Sequence, residues 1–333
     1  MDRIALSHKL EDGRWQCGLC PHACVLNEGQ VGICHVRKAE KNGIRSLVYG
    51  EPVATHIDPI EKKPLNHFLP GERIFSLGTL GCNLRCRGCQ NDGLSRAHYT
   101  SMGTKISADR IVDAAIQAGC RMIAYTYNEP IVWAEYAYDI ACVAKNAGLK
   151  NVLVTAGFIQ TNALEWFLEP FDAANIDLKG FSESFYRSWA NAKLQPILET
   201  IERMHNKKGF WLELTTLLIP GINDDDEMLK QEYQWIVDHL GKDVPLHLSA
   251  FHPACDALDV PPTSIETVEH AAELAVDAGI HFVYPGNVPI ETATLCDACK
   301  TVLIRRFGFH TKNEGLNCGC CAICGHKIAG IWE

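Results

Sequence analysis

From Pro70 onward the sequence alternates short apolar runs with amphipathic stretches, the pattern of a parallel sheet whose strands are joined by crossover helices. The runs predict strands over Arg73–Leu80, Met122–Tyr127, Asn151–Ala156, Ala174–Leu178, Trp211–Ile219 and Leu246–Phe251, with a short further strand at Phe282–Tyr284. Between them, helices are expected over Ser107–Ala118, Ile131–Ala147, Asn162–Leu168, Leu198–Asn206, Glu227–Leu240 and Ile265–Ala278. Ser107 suits an N-cap, and Gly119 and Gly148 suit helix ends. At 333 residues the chain has room for one α/β domain of barrel size with small additions. The division expected is a Cys-rich segment and connector over 1–69, a core over 70–290 and a tail over 291–333.

In α/β barrels chemistry sits at the carboxyl ends of the strands, and polar residues gather there. The first strand runs into GCNLRCRGCQN, and the second ends in YTYNEP with Asn128 and Glu129. The third ends at Thr155-Ala156-Gly157, and the fourth carries Asp177 and Lys179 on one face. The fifth carries Glu213 and Thr215, and the sixth ends at Ser249 and His252. Any one of these suits a rim ion pair or a helix cap; the run of them at one end argues for a site.

Cys82, Cys86 and Cys89 form CxxxCxxC. A 4Fe–4S cluster has four corners, each normally held by a cysteine thiolate; three thiolates leave one iron open for a ligand, as catalytic zinc sites keep an open position. Three core cysteines would be the plain alternative, but Asn83, Arg85, Arg87 and Gly88 make this a polar loop.

Two further groups of cysteines flank the core. Cys17, Cys20, Cys24 and Cys34 fall within eighteen residues in CGLCPHACVLNEGQVGICHVR, a spacing that suits a four-thiolate site of zinc or iron–sulfur type. His22 or His35 can replace a thiolate there, and unligated thiols packed on the barrel are the alternative. In the tail, Cys296 and Cys299 are separated by twenty-one residues from Cys321 and Cys324, with Gly325 following. Paired CxxC knuckles of this kind read as a zinc ribbon or rubredoxin-like module holding zinc or one iron, with Cys318 or Cys320 as substitutes for Cys321.

Sixteen cysteines, most of them in clusters of this spacing, fit metal chemistry in a reducing cytoplasm better than a disulfide framework. Met1–Leu10 has no apolar signal region, and no apolar run is long enough to span a bilayer. A net charge of −9 with no long basic run makes a nucleic-acid partner unlike this chain. Asp58, Glu61, Lys62, Lys63 and His67, in the connector HIDPIEKKPLNHF, read as a solvated surface that could edge an active-site mouth.

The motifs CGLCPHAC, TLGCNLRCRGCQN, AYTYNEP, NIDLKGF, LELTTLLIPGIND and HLSAFHP with PPT, together with the Cys-rich tail, resemble radical S-adenosylmethionine (SAM) enzymes of the AmmeMemoRadiSam family, relatives of the pyruvate formate-lyase activating enzymes. The resemblance covers nearly the whole chain and implies a partial, open (β/α)6 barrel. It implies that Cys82, Cys86 and Cys89 hold a 4Fe–4S cluster, and that Glu129 meets the methionyl amine of SAM. Thr155, Asp177 and Lys179 would surround the SAM carboxylate, Ile219–Gly221 would lie beside adenine, and His252 near the adenosyl group. An electron donor of flavodoxin or ferredoxin type, a small-molecule or protein substrate, and Memo-type partners come with the same resemblance. The chain departs from the pattern twice: Gly88 stands where an aromatic residue is usual, and Thr155-Ala156-Gly157 replaces Thr-Asn-Gly. An electron carrier with several clusters needs no SAM pocket, which Glu129 and Asp177 suggest; an RNA-modifying enzyme using the ribbon as a clamp conflicts with the acidic charge. Activation of a glycyl-radical enzyme and rearrangement or coupling of a small molecule are the two substrate readings.

Overall fold

A computed structural model describes residues 6–100 and 105–333; of the Met1–Leu10 stretch, the first five residues lie outside it. Five short strands come first: β1 (Ser7–Lys9), β2 (Trp15–Cys17) and β3 (Val25–Leu26) form one antiparallel sheet, and β4 (Arg37–Glu40) pairs with β5 (Gly43–Ser46). The central sheet follows, built from β6 (Ala54–Pro59), β7 (Arg73–Gly78), β8 (Met122–Tyr125), β9 (Lys150–Thr155), β10 (Ala173–Asp177), β11 (Trp211–Leu218), β12 (Leu246–Ala250) and β13 (Val283–Gly286). Its spatial order is its sequence order. Strands β7 to β13 are all parallel, and β6 lies antiparallel on β7 at one edge.

The strands and helices fall within a few residues of the sequence expectation. The helix at Ala108–Gln117 starts where Ser107 Oγ accepts from the Arg110 amide, and Asp225 and Ser264 cap the helices at Asp226–Leu240 and Ile265–Asp277 in the same way. At Ile131–Ala147 the first turn, Pro130–Trp133, is 3₁₀, and the α-helix spans Ala134–Asn146.

The two-residue period of the strands separates two faces. Ile123, Tyr125, Leu153 and Ile176 turn toward the helices and join the main core. Ile74, Met122, Ala124, Val152 and Ala173 turn the other way and pack with Ile60, Leu65, Phe68 and Leu69 of the connector. The connector thus plugs the amino end of the inner face. Above that apolar layer lie buried polar groups, Ser76, Asn175 and Glu213, and above them the strands open into a cavity.

This placement corrects the reading of the connector as a solvated surface. Lys62 is exposed, but Asp58, Glu61, Lys63 and His67 are buried. Asp58 accepts from Lys62 Nζ at 2.9 Å, Lys63 Nζ at 2.7 Å and Tyr127 Oη at 2.9 Å. Glu61 accepts from the Gly71 amide and from Thr311 Oγ1, both at 2.7 Å. His67 joins Tyr284 Oη at 2.5 Å and the Ala329 carbonyl at 2.6 Å. A buried charge is tolerated when partners replace its water, and most of these partners are remote in sequence.

The tail forms a three-stranded sheet, β14 (Glu291–Leu295), β15 (Val302–Phe307) and β16 (His310–Asn313), and a hairpin of β17 (Leu316–Asn317) and β18 (Cys320–Cys321). Its own small core includes Phe282, Tyr284, Leu303, Ile304 and Ile328. The Ile331 carbonyl accepts from the Leu69 amide and the Ile331 amide donates to the His67 carbonyl, each at 2.7 Å, so the tail is stitched to the connector.

Candidate functional site

A cavity of about 850 Å³ opens at the carboxyl ends of β7 to β13. Its lining includes the three thiols Cys82, Cys86 and Cys89 together with Glu129, Thr155, Asp177 and Lys179. Of the eight cysteines and polar residues that the resemblance assigns to the cluster and SAM, seven therefore share one space. The eighth, His252, is exposed and is not part of the lining, although it follows the buried Phe251.

The cysteine loop is held from several sides. Asn128, buried just past β8, accepts from the Thr79 amide at 3.0 Å and donates to the carbonyls of Leu80 at 3.0 Å and Gly81 at 2.7 Å. The residue before it, Tyr127, takes φ +69°, a costly conformation for a bulky side chain. That turn lets Asn128 face the loop while Tyr127 Oη reaches Asp58. On the other side, the Arg85 and Arg87 amides donate to the carbonyls of Ala190 and Trp189, and Asn83 Nδ2 donates to the Phe158 carbonyl at 2.8 Å. Asn128 was noticed in the sequence only as a neighbour of Glu129; its clamping role depends on a loop that precedes it by more than forty residues.

Gly88 is explained by close approach. A Cβ there would lie 2.6 Å from Phe251 Cε2 and 3.2 Å from Trp189 Cζ2, so no larger residue fits without displacing a ring. Trp189 lines the cavity beside this position and carries the Arg87 guanidinium over its ring at 5.2 Å.

Glu129 is buried and already engaged. Its Oε1 accepts from Thr155 Oγ1 at 2.6 Å and the Ile131 amide at 3.2 Å, and its Oε2 accepts from the Ala156 amide at 2.8 Å. Burial raises its pKa, opposed by those three donors and by Lys179. Oε2, with one donor, keeps acceptor capacity. Ala156 contributes its amide here, so the missing asparagine side chain at this turn is not needed to fix the carboxylate.

Lys179 Nζ lies 2.9 Å from Asp177 Oδ2. Burial works against its charge, but Asp177 and the Cys86 sulfur outweigh it and raise the Lys179 pKa. Burial likewise pushes the thiol of Cys86 up to about 11 and that of Cys82 well above the usual range. A bound metal reverses that preference by stabilising the thiolate. Three thiols on one polar loop, facing the same space as a carboxylate and an ammonium, are a donor set that fits an iron–sulfur cluster with an amino-acid-bearing cofactor.

Of the rest of the lining, Thr215, Ser249, Lys62 and Lys63 were singled out in the sequence, whereas His247 and Arg306 were not. Arg306, from β15 of the tail, is buried and donates to Thr294 Oγ1 at 2.8 Å and the Asn66 carbonyl at 2.7 Å. Glu213 stays below the cavity, where His247 Nε2, Trp211 Nε1 and the amides of Asn66 and His67 surround it. Burial would raise its pKa, but these partners, His247 foremost, lower it.

In the tail, the sulfurs of Cys296, Cys299, Cys321 and Cys324 all lie within 4.8 Å of one another, with two pairs at 3.6 Å. A tetrahedral zinc with Zn–S bonds of about 2.3 Å sets its sulfurs roughly 3.8 Å apart, so the group fits one metal ion. The two CxxC turns match each other: Gly325 follows one with φ +74° and Lys300 follows the other with φ +60°. Among the described residues, Cys321 and not Cys318 or Cys320 falls in the group. At the amino end, Cys17, Cys20, Cys24 and Cys34 line one small cavity of about 20 Å³.

Comparison with known proteins agrees with this geometry. Residues 77–232 match the Radical SAM superfamily. The uncharacterized protein MJ0808 of Methanocaldococcus jannaschii is 40% identical over 325 residues, covering 96% of each chain. A putative glycyl-radical enzyme activating enzyme of the same organism, MJ1632, is 26% identical over 173 residues, 50% of this chain and 64% of that protein. The crystal structure of a radical SAM methyltransferase from Sphaerobacter thermophilus shares the fold, with TM-score 0.54 and 15% identity over 84% of this chain and 75% of that one. Three cysteines on a loop at the mouth of a parallel sheet, and a relative that matches from end to end, place the chain in one family with MJ0808 within the radical SAM superfamily.

Proposed function

We propose that this chain is an AmmeMemoRadiSam-type enzyme on a partial (β/α)6 barrel, and that Cys82, Cys86 and Cys89 hold a 4Fe–4S cluster at which SAM is reductively cleaved. The observation that carries the reading is the shared cavity: the three thiols, Glu129, Thr155, Asp177 and Lys179 line one space. Cluster and SAM, when bound, would supply a 5′-deoxyadenosyl radical for hydrogen abstraction, while the protein's own residues supply position and shelter.

The residues divide that work by charge. Glu129 Oε2, which accepts from the Ala156 amide, would also accept from the methionyl ammonium, a charge-assisted bond strengthened by burial. Lys179, kept protonated beside Asp177, offers a cation to the carboxylate. Trp189 and Ile219, both lining the cavity, would give the adenine an apolar bed. Gly88 admits the rings of Phe251 and Trp189 close to the loop and helps to exclude water.

A small-molecule substrate fits best. Arg306, Gly308 and Phe309 of the tail line the cavity, whose volume of about 850 Å³ is of small-ligand size. The second reading, activation of a glycyl-radical enzyme, is favoured by the likeness to MJ1632. A low-potential donor of flavodoxin or ferredoxin type would deliver the electron, Memo-type proteins are candidate partners, and the setting is the cytoplasm. Anaerobic incubation with SAM and dithionite should release 5′-deoxyadenosine. With deuterated candidate substrates, label in that product marks a small-molecule reaction, whereas an EPR-detected glycyl radical on a copurifying protein marks the second reading. No 5′-deoxyadenosine from protein with a full cluster complement overturns both.

A further inference from the structure

The amino-terminal cysteines belong to neither the cavity nor the tail. Cys17 ends β2, Cys20 and Cys24 lie in the turn that follows, and Cys34 precedes β4. Cys17, Cys20 and Cys34 are buried and Cys24 is half-buried, and all four are free thiols around one apolar space. Leu19, Leu26, Ile131 and Val132 supply much of the remaining lining. Four thiols converging from three chain segments are more than a core of this size needs.

A second observation points to a ligand there. Arg37 lines the same space and is 2% exposed. Its two terminal nitrogens bind both oxygens of Glu135 at 2.7 and 2.8 Å, and among the described residues its Nε–H has no partner. A buried donor left unpaired costs about 1–3 kcal/mol. A sulfur-rich anion among the four thiols would satisfy it.

The spacing of the sulfurs distinguishes the kind of centre. Among the described residues, the tail cysteines gather within 4.8 Å of one another, as one ion requires; no three of Cys17, Cys20, Cys24 and Cys34 do, although they share one cavity. Cys82, Cys86 and Cys89 are spread in the same way. Ligands that grip the corners of a multi-iron core stand further apart than ligands that share one ion.

We propose that Cys17, Cys20, Cys24 and Cys34 hold a second 4Fe–4S cluster, closed by four thiolates, with Arg37 Nε–H donating to it. It sits directly behind the loop of the first. A Cβ on Gly81 would lie 2.6 Å from the Cys34 carbonyl oxygen, His22 Nε2 is 2.8 Å from the Asn83 carbonyl, and Arg85 donates to the Ile33 carbonyl. The second cluster braces the Cys82–Cys89 loop from its buried side.

The test removes the first cluster and asks what remains. The variant Cys82→Ala/Cys86→Ala/Cys89→Ala, reconstituted anaerobically with iron and sulfide, should retain about four irons and about four labile sulfides per chain. On reduction it should show the EPR spectrum of a 4Fe–4S cluster. Labile sulfide separates this centre from a mononuclear tail site, which contains none. Adding Cys24→Ser, at the half-buried ligand, should shift that EPR spectrum, and adding Cys17→Ser/Cys20→Ser should abolish the sulfide. Zinc without sulfide in the triple variant, a disulfide among the four cysteines, or a spectrum unmoved by Cys24→Ser would each overturn the proposal. Because the readout needs neither SAM nor the first cluster, its failure would leave the proposed function standing.

Discussion

Glu129→Gln separates a cofactor ligand from a structural clamp. The carboxylate receives Thr155 Oγ1 and the Ile131 amide on one oxygen and the Ala156 amide on the other. An amide has a single acceptor oxygen. If that oxygen keeps Thr155 and Ile131, the new NH₂ faces the Ala156 amide, donor against donor. One buried group left unpaired costs about 1–3 kcal/mol, so the variant should unfold at lower denaturant whatever Glu129 does for SAM. The cofactor effect adds to this. Losing a hydrogen bond to a charged group costs about 1.5–3 kcal/mol, which weakens SAM binding roughly 10- to 150-fold. SAM at about 100 times the wild-type Kd stabilises the wild type by about 2.7 kcal/mol. At the same concentration the variant should gain only about 0.3–1.4 kcal/mol. Equilibrium SAM binding and denaturation with and without SAM, on anaerobically reconstituted protein, give both numbers. Equal iron content must accompany them, since Glu129 is no ligand. A destabilised variant with an unchanged Kd would reduce Glu129 to a clamp for the turn after β9 and remove it from the cofactor site.

Other perturbations address other parts of the account. Asn128→Ala strips the Thr79 amide and the Leu80 and Gly81 carbonyls of their partner, at roughly 1–3 kcal/mol for each buried group not rescued by water, so cluster content after reconstitution should fall together with stability; full cluster content would show that the loop does not need this clamp. Cys299→Ser/Cys324→Ser should release the tail metal and lower thermal stability while leaving SAM cleavage per cluster nearly intact, because a closed four-sulfur site has no open position; lost SAM cleavage with metal and stability retained would contradict a structural role. Glu232, buried and accepting from Thr216, has its pKa raised to about 8 by burial. The folded protein keeps that proton while the unfolded chain loses it near pH 4.5, so stability should decline from about pH 4.5 to 8, by a total on the order of a few kcal/mol. Glu232→Gln should flatten that slope in denaturation at pH 6 and 8.5; an unchanged slope would exclude Glu232 as its source.

The strands and helices were legible because their periodicities are local. Met122 and Ala124 face one way and Ile123 and Tyr125 the other, as alternation along four residues requires. Site residues at strand ends were legible for the same reason: Asp177 and Lys179 flank one turn of the pleat and both reach the cavity. What the sequence concealed is pairing at long range. Asp58, Glu61, Lys63 and His67 look like a solvated run until Tyr127, Thr311, Tyr284 and Ala329 arrive to replace their water. Arg306 lies in a segment that reads only as metal-site scaffold, yet it walls the cavity. Gly88 seemed a lost aromatic contact, because nothing local reveals that Trp189 and Phe251 approach from other elements. His252 follows a strand end but stands exposed outside the cavity lining, a placement that the strand pattern alone does not reveal.

The central claim is that Cys82, Cys86 and Cys89 alone hold the cluster that cleaves SAM. Cys86→Ala leaves two thiolates on the loop, too few to retain a cluster normally held by cysteine at its corners. The decisive measurement is 5′-deoxyadenosine released per chain after SAM and dithionite are added to the anaerobically reconstituted wild type and Cys86→Ala. Turnover by the wild type and none above background by the variant is the predicted result; wild-type yield from Cys86→Ala would contradict the assignment.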